Sequence, residues 1–118
     1  MVSIKILIKG KKVQDVYYRL FLLEKAMESG IEKIYITSIN KNEIEVLAGD
    51  GEDNIKLFYK KIRSESPRKA RVIKEEPYDG KISIPSIDRY FHFLMLEQLS
   101  RGVEELMLGS CMHIQKKN

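Results

Sequence analysis

The chain has 118 residues, 43% of them hydrophobic and 32% charged, with a formal net charge of +4. This length suits one domain with its own core, and the composition excludes disordered, collagen-like and low-complexity chains. There is no apolar run of the roughly 18 residues that cross a membrane, no secretory signal pattern in the first twelve residues, and only one cysteine, Cys111, so we expect a cytoplasmic protein.

The first thirty residues predict a strand followed by a helix. β-branched residues at every second position from Val2 to Ile8 predict the strand. Gly10 ends this pattern, and residues 11–15 form a connection. The spacing of the next apolar residues predicts a helix that ends at Gly30. Its buried stripe would consist of Val16, Leu20, Leu23 and Met27.

The next segments predict a hairpin, a second helix and a further strand. β-branched residues in 31–39 and alternation in 43–48 predict two strands, joined by a turn at residues 40–42. Helical spacing between Ile55 and Ile62 predicts a helix that ends before Pro67. A strand over residues 70–73 follows, with a short edge strand at residues 81–84 as a further option.

The order βαββαβ predicts an α+β fold, the ferredoxin-like sandwich, in which two helices cover one face of a four-stranded antiparallel sheet. We expect one core under this sheet. Its predicted members are Val2, Ile4, Ile6, Ile8, Leu20, Leu23, Met27, Ile44, Val46, Phe58, Ile62 and Val72.

Residues 86–108 predict an added C-terminal helix. Ser86 is a suitable N-cap, and the apolar residues after it occupy more than one stripe. We therefore divide the chain into a domain at residues 1–84 and a helical extension at residues 85–118. Because wide exposed apolar surfaces mark interfaces, we expect a homodimer through residues 86–108. The alternative is that residues 109–118 cover this surface.

Basic residues are concentrated in two segments. Residues 1–12 carry four lysines and no acid, and residues 56–74 carry eight basic side chains against Glu65 alone. Two such segments could converge on a phosphate-bearing ligand. The alternative is a solvated basic surface.

The connection between the first strand and the first helix contains the most informative motif. Backbone N–H groups at a helix N-terminus bind anions, and Arg19 in the first turn can add two hydrogen bonds to the same anion. On spacing alone, an ordinary connection with a surface arginine fits as well. The sequence of residues 11–19, K-K-V-Q-D-V-Y-Y-R, resembles the G-R-V-Q-G-V-x-F-R motif of the acylphosphatase family. Residues 44–48 and 66–72 resemble two later segments of that family, V-E-V-V-A and G-P-x-x-A-x-V.

The resemblance implies an acylphosphatase-type ferredoxin-like sandwich that acts on the carboxyl–phosphate bond of acyl phosphates without a metal or organic cofactor. In the family, the motif loop and its arginine hold the phosphate, and an asparagine on the second strand orients the attacking water. Counting forward from Arg19 gives Thr37 at the asparagine position, whereas counting back from Ile44 gives Ser38. The implied phosphate loop comprises Lys11, Lys12, Val13, Gln14, Asp15 and Val16, with Arg19 and Thr37 as the catalytic pair.

This sequence departs from the family motif at three positions. Lys11 and Asp15 replace its two glycines, and a hydroxyl residue replaces the asparagine. These losses favour a degenerate, non-catalytic module that binds phosphate, another small anion or a protein partner. The alternative function is an active acylphosphatase in which Arg19 holds the phosphate.

Other binding functions have less support. His92, Cys111 and His113 lack the paired spacing of metal ligands, so no metal site is expected. RNA recognition by this fold uses aromatic residues on the first and third strands, and residues 3–9 and 43–48 contain none. Glu43 and Glu45 would also repel phosphate, which argues against nucleic acid as a ligand.

Overall fold

The computed structural model describes residues 1–11, 13, 16–67, 70–80 and 82–101. The elements are β1 (Val2–Gly10), α1 (Val16–Glu28), β2 (Lys33–Asn40), β3 (Glu43–Asp50), α2 (Glu52–Glu65) and β4 (Ala70–Pro77). A further helix, α3, spans residues 87–101. The strands form one antiparallel sheet in the order β2-β3-β1-β4. The predicted ferredoxin-like sandwich with an added C-terminal helix is confirmed.

The chain divides into two compact units, Met1–Ile87 and Asp88–Asn118. The first contains the whole sheet with α1 and α2. The described part of the second is helical as far as Arg101, whose guanidinium bonds the Glu97 carboxylate at 2.9 Å within α3. The predicted helix continues to residue 108, but residues 102–108 lie outside the described part of the chain. The predicted domain boundary after residue 84 stays a prediction.

The core lies on the sheet face that α1 and α2 cover. Across the central strands, Ile6 is opposite Val46 and Ile8 is opposite Ile44, and all four side chains are fully buried. Phe58, on the α2 face that packs against this side of the sheet, is fully buried as well. β-branched residues fit a pleated surface and interlock across strands. The predicted core is therefore correct at its centre.

The predicted buried stripe of α1 is partly wrong. Leu20 is 37% exposed and Met27 is 56% exposed. The residues that α1 buries are Tyr18, Leu22, Leu23, Lys25 and Ala26. Apolar side chains surround the first two turns of this helix, so spacing alone does not select one face.

Two predicted core residues at the margins of the sheet are not fully buried. Val2, at the start of β1, is 39% exposed, and Val72 of β4 is only half-buried. Val72 belongs to β4, an outer strand of the sheet, where fewer side chains surround each residue.

β4 is longer than predicted and contains a β-bulge. Leu7 of β1 is opposite Lys74 and the next residue, Ile8, is opposite Val72, which leaves Ile73 as the additional residue. After the bulge, each β4 side chain lies on the face opposite to the one that simple alternation predicts. Pairing with β1 continues to Pro77, beyond the predicted end of the strand at residue 73.

The optional edge strand at residues 81–84 is not present at residues 82–84, the part of that range which the structure describes. Pairing occurs instead at residues 85–87, along the outer edge of β2. Ser86 forms an antiparallel bridge with Lys33. The N–H of Ile34 donates to the Pro85 carbonyl at 3.0 Å, and the N–H of Ile87 donates to the Glu32 carbonyl at 2.9 Å.

Candidate functional site

The predicted phosphate loop lies where β1 ends and α1 begins. The N–H of Gly10 donates to the Asn42 carbonyl at 2.8 Å, which ties the start of the loop to the β2–β3 turn. Val13 is 1% exposed and anchors the loop in the core, while Lys11 is exposed. Three predicted loop residues, Lys12, Gln14 and Asp15, lie outside the described residues. Val16 is the first residue of α1.

Tyr18 connects the first turn of α1 to the end of α2. Its ring is buried, and its hydroxyl lies 3.1 Å from the Ser66 hydroxyl, the two forming a hydrogen bond. Burial raises the pKa of Tyr18, and the hydrogen bond with Ser66 offsets part of that shift. The motif aromatic is thus a structural anchor that positions the residue after it, Arg19.

Arg19 contacts the second strand through Ser38. Its Nη2 atom donates a hydrogen bond to the Ser38 hydroxyl at 3.0 Å. Ser38 is opposite the buried Ile44, so its side chain lies on the helix-covered face of the sheet. The two residues therefore bring the start of α1 and the last part of β2 together beside the loop.

Thr37 lies on the other face of β2. It is opposite Glu45, and successive strand residues point to opposite faces. Of the two sequence alternatives for the asparagine position, Ser38 is the one in contact with Arg19. Counting forward from Arg19 crosses the α1–β2 connection, and a change of one residue there moves a strand side chain to the other face.

Asn40 does not stand in for the missing asparagine at this position. The pairing of β2 with β3 shifts after Ser38, so that Asn40 is opposite Glu43 instead of a core residue. Asn40 therefore shares the face of Glu43, away from Ser38. Its Oδ1 atom accepts the backbone N–H of Asn42 at 2.9 Å within the turn.

The geometry offers a cationic, donor-rich position for an anion. A guanidinium has a planar set of N–H donors that matches phosphate and carboxylate, and the N-terminus of α1 adds the positive end of its dipole. Among the residues that the structure describes, no three His, Cys, Asp or Glu side chains come together as metal ligands. Cys111 and His113 are outside that part of the chain.

A family model for acylphosphatase matches residues 4–91 of the chain. The chain belongs to the acylphosphatase family. The resemblance that the motif at residues 11–19 indicates is thereby confirmed.

Solved structures of the acylphosphatase family and a related protein share the fold. The acylphosphatase from Bacillus subtilis is 19% identical, with a TM-score of 0.56 over 73% of this chain and 94% of that one. The acylphosphatase from Coxiella burnetii is 23% identical, with a TM-score of 0.54 over 70% and 85% of the two chains. HypF from T. kodakarensis is 22% identical, with a TM-score of 0.57 over 71% of this chain but only 11% of that longer one. No curated protein sequence gave a significant match.

In this acylphosphatase-family chain, the motif predicts Arg19 and leaves Ser38 as one of two options for the asparagine position. The bond between Tyr18 and Ser66 is not part of the motif. The sequence gives little indication of that bond, because a serine before a proline is common at the end of a helix. Within the part of the chain described, no helix is long and apolar enough to cross a membrane.

Proposed function

We propose that this acylphosphatase-family domain binds phosphate or a similar small anion at the β1–α1 loop and does not efficiently hydrolyse acyl phosphates. The observation that carries the proposal is the contact between Arg19 and Ser38. It supports the proposal because the motif arginine contacts a hydroxyl on β2, the strand on which the family has an asparagine.

Support for anion binding comes from how firmly the arginine is held. Arg19 is half-buried, follows the anchored Tyr18, and bonds Ser38 across the start of α1. An arginine oriented in this way loses little side-chain entropy when it binds an anion. Charge-assisted contacts of this kind are about twice as strong as neutral hydrogen bonds.

Support for weak turnover comes from what Ser38 lacks. An asparagine amide offers two N–H donors and a carbonyl acceptor, whereas a serine offers one hydroxyl on a shorter side chain. The Ser38 hydroxyl already accepts a bond from Arg19. Since a carboxylate is a good leaving group, catalysis here depends mainly on positioning and electrostatics, and the loss of one positioning group is costly. Lys11 adds a Cβ to the loop, where the family has glycine.

The alternative proposal is an active acylphosphatase in which Arg19 holds the phosphate and a hydroxyl orients the water. One observation favours it, namely the contact that the Ser38 hydroxyl keeps with Arg19. Thr37, the neighbouring hydroxyl residue, lies on the opposite face of the sheet.

One experiment separates these functions. Phosphate binding is measured by titration calorimetry, and benzoyl phosphate hydrolysis is measured on the same preparation. We expect wild-type binding without brisk turnover, and at least about tenfold weaker binding by Arg19→Ala, since a charged hydrogen bond contributes about 1.5–3 kcal/mol. Lys56→Ala is the matched control, because Lys56 is an exposed cation near the start of α2 that pairs with Glu52.

Two results would contradict the proposed function. A wild-type kcat of about 1 s⁻¹ or more, ordinary for enzymes, would show that the protein is an acylphosphatase. Phosphate binding that is equally strong in Arg19→Ala would mean that neither site assignment is correct.

Replacement of either hydroxyl by asparagine tests the missing positioning group. We expect Ser38→Asn, combined with Lys11→Gly and Asp15→Gly, to raise benzoyl phosphate hydrolysis. Thr37→Asn in the same background is the matched control and should have no effect, because its side chain points away from Arg19. Equal gains from both variants would contradict this geometry.

We also propose that two copies of the chain associate through residues 86–108. On α3, Phe93, Leu96 and Leu99 are each at least 60% exposed. Leu96 and Leu99 have the spacing of a helix–helix seam, which the sequence continues at Val103 and Leu106. An apolar helix face of this kind can pair with its own copy about a twofold axis.

Sedimentation at micromolar concentration tests this association. We expect a dimer for the wild type, a monomer for Leu96→Glu, and a dimer for the charge-matched control Gln98→Glu. A wild-type monomer would instead agree with coverage of this surface by residues 109–118, and would end the dimer proposal.

A further inference from the structure

A cleft lies at the start of β1, on the sheet face that α1 and α2 do not cover. Lys33 of β2 is opposite Gly49 of β3, and Gly49 is opposite Ser3 of β1. The N–H of Tyr78, the residue after β4, donates to the Ser3 carbonyl at 2.8 Å. The next residue of β1, Ile4, is buried in the core, so this row of residues faces the other way. Lys33, Ser3 and Tyr78 line the cleft, and Gly49, which has no side chain, lies between the first two.

The connection that follows β4 forms the opposite wall of the cleft. Its described residues on this wall are Gly80, Ile82, Ser83 and Ile84. The Tyr78 hydroxyl donates a hydrogen bond to the Ile82 carbonyl at 3.1 Å. Gly80 lies so close to the same ring that a Cβ there would be 2.6 Å from the Tyr78 hydroxyl oxygen, well inside van der Waals contact. These contacts fold the connection back on the Tyr78 ring, which gives the cleft a preformed wall.

The polar groups of the cleft suit an anion. Lys33 has the only charged side chain among the described residues that line it. Within the part of the chain that the structure describes, no carboxylate forms an ion pair with Lys33, and no hydrogen bond uses the hydroxyl of Ser3 or Ser83. An ammonium and two hydroxyls in one cleft offer N–H and O–H donors to a carboxylate or a phosphate.

The size and the apolar part of the cleft favour an organic anion over an inorganic one. The volume of the cleft is about 220 Å³, the share of roughly seven water molecules in the liquid. The Tyr78 ring and the buried Ile84 add apolar surface to the lining. Ligand sites typically combine such surface with a few polar groups that fix the orientation of the ligand. Orthophosphate has no apolar part to place there, whereas a carboxylate on a short hydrocarbon or aromatic body does.

We propose that this cleft binds a small organic carboxylate, with the carboxylate at Lys33 and the apolar body against the Tyr78 ring. The inference goes beyond the proposed function, because the cleft and the phosphate loop are at opposite ends of β1. Ser3 and Gly10 are seven residues apart on this strand, about 23 Å of extended chain, and the Arg19 side chain lies on the other face of the sheet. The cleft is therefore a second site that does not depend on the first.

NMR titration of the backbone amides tests this site in the full-length chain, with benzoate and orthophosphate compared at constant ionic strength. We expect benzoate to shift the amide signals of Ser3, Lys33 and Gly49 in a saturable way. Lys33→Gln should weaken this binding at least about fivefold, the effect of losing one hydrogen bond of ordinary strength. Lys56→Gln is the control, because it removes the same charge from an exposed position on α2.

A second variant fills the cleft without removing a charge. A Cβ at Gly49 would lie 3.4 Å from Ser3 Oγ and 3.7 Å from Lys33 Cβ, which are ordinary contacts. Valine suits a strand, and its two methyl groups would extend beyond the Cβ into the cleft. We therefore expect Gly49→Val to keep the native circular dichroism spectrum and to lose the benzoate shifts. Arg19→Ala should keep both.

Four results would overturn the cleft site. They are the absence of benzoate shifts at the three amides, an equal loss of affinity in Lys56→Gln, unchanged binding in a folded Gly49→Val, and loss of the shifts in Arg19→Ala. Orthophosphate that binds in the cleft as tightly as benzoate would overturn the organic carboxylate as its ligand. If Gly49→Val does not fold, Lys33→Gln and its control decide. Phosphate binding at the loop that is insensitive to Arg19→Ala would overturn the proposed function and leave the cleft site intact.

Discussion

Tyr18 links the candidate site to the rest of the domain through one hydrogen bond. Its hydroxyl bonds Ser66, which is 48 residues away in the sequence, and its ring is buried. The bond therefore fixes the start of α1, and with it Arg19, relative to the end of α2. Tyr18 occupies the aromatic position of the motif, and in this protein its hydroxyl has a specific partner, Ser66.

We expect Tyr18→Phe to destabilise the domain by about 0.5–1.5 kcal/mol, the usual net contribution of one such hydrogen bond. Ser66→Ala should cost a similar amount, and the double variant should cost less than the sum of the two. Urea unfolding gives the three values. Tyr59→Phe, at a partly exposed position on α2, is the control, and strict additivity in the double variant would contradict the pairing.

Asp50 organises the connection between β3 and α2. Its carboxylate accepts hydrogen bonds from the backbone N–H of Gly51 at 2.6 Å, from that of Glu32 at 2.7 Å and from the Asn54 amide at 2.9 Å. These bonds, that from Gly51 foremost, hold the pKa of Asp50 below its usual value, because they favour the charged form. The pKa of Glu28 is lowered by its hydrogen bond with Lys25, and the pKa of Glu76 is lowered by its hydrogen bond with Lys5.

A lowered pKa in the folded state means that the unfolded chain binds protons first as the pH falls. Such carboxylates stabilise the fold above their unfolded pKa, and that contribution is lost as the pH drops through the folded value. We expect the free energy of unfolding to decrease from pH 5 to pH 3, and to do so less steeply for Asp50→Asn. Urea unfolding at several pH values measures the slope. Asp79→Asn, which removes the same charge at an exposed position outside the helices and strands, is the control.

Among the elements, α1 is the one whose orientation the sequence did not determine. Leu22 is fully buried, whereas Leu20, two residues earlier, is more than a third exposed. We expect Leu22→Ala to cost about 2–5 kcal/mol, because it leaves a cavity in a packed core. Leu20→Ala should cost less than about 1 kcal/mol. Thermal or urea unfolding of this matched pair decides which face packs inward, and a larger loss for Leu20→Ala would contradict the orientation.

The sequence predicted the elements that have one dominant period. β1 and β3 alternate between β-branched and polar residues, and α2 has a clear polar face, so their order and buried sides were correct. The first two turns of α1 are apolar nearly all round, and only tertiary contacts such as that of Tyr18 with Ser66 select the face that is buried. Arg19 was found through its motif, whereas the choice between Thr37 and Ser38 depended on a connection whose length has no periodic signal.

The residues after β4 show the same limit. The segment at residues 82–84, Ile-Ser-Ile, alternates as a strand does but is short, and periodicity alone does not distinguish a short extended connection from a paired strand. The backbone hydrogen bonds with β2 form instead at residues 85–87, because the outer edge of β2 offers free N–H and C=O groups there. Such pairing between distant segments depends on the assembled sheet and not on local preference.

At the scale of the whole molecule, the pairing of residues 85–87 bears on where the sheet domain ends. A chain cut after Ile84 loses the two backbone hydrogen bonds from Ile34 to Pro85 and from Ile87 to Glu32. We expect a fragment of residues 1–87 to be more stable than a fragment of residues 1–84, by about 1–3 kcal/mol for two such bonds. Urea unfolding of both fragments measures the difference, and equal stability would support the sequence-based boundary.

The bulge at Ile73 has a consequence for the way copies of this sheet can meet. β4 is one of the two outer strands, and an exposed, flat outer strand invites the addition of further strands in a growing cross-β stack. Here the additional residue twists the strand, and Pro77 at its end has no N–H to donate. Charged side chains at Arg71, Lys74 and Glu75 repel a copy that approaches in register. β4 thus closes the sheet against amyloid-like extension, although no other strand in the described part of the chain covers its outer edge.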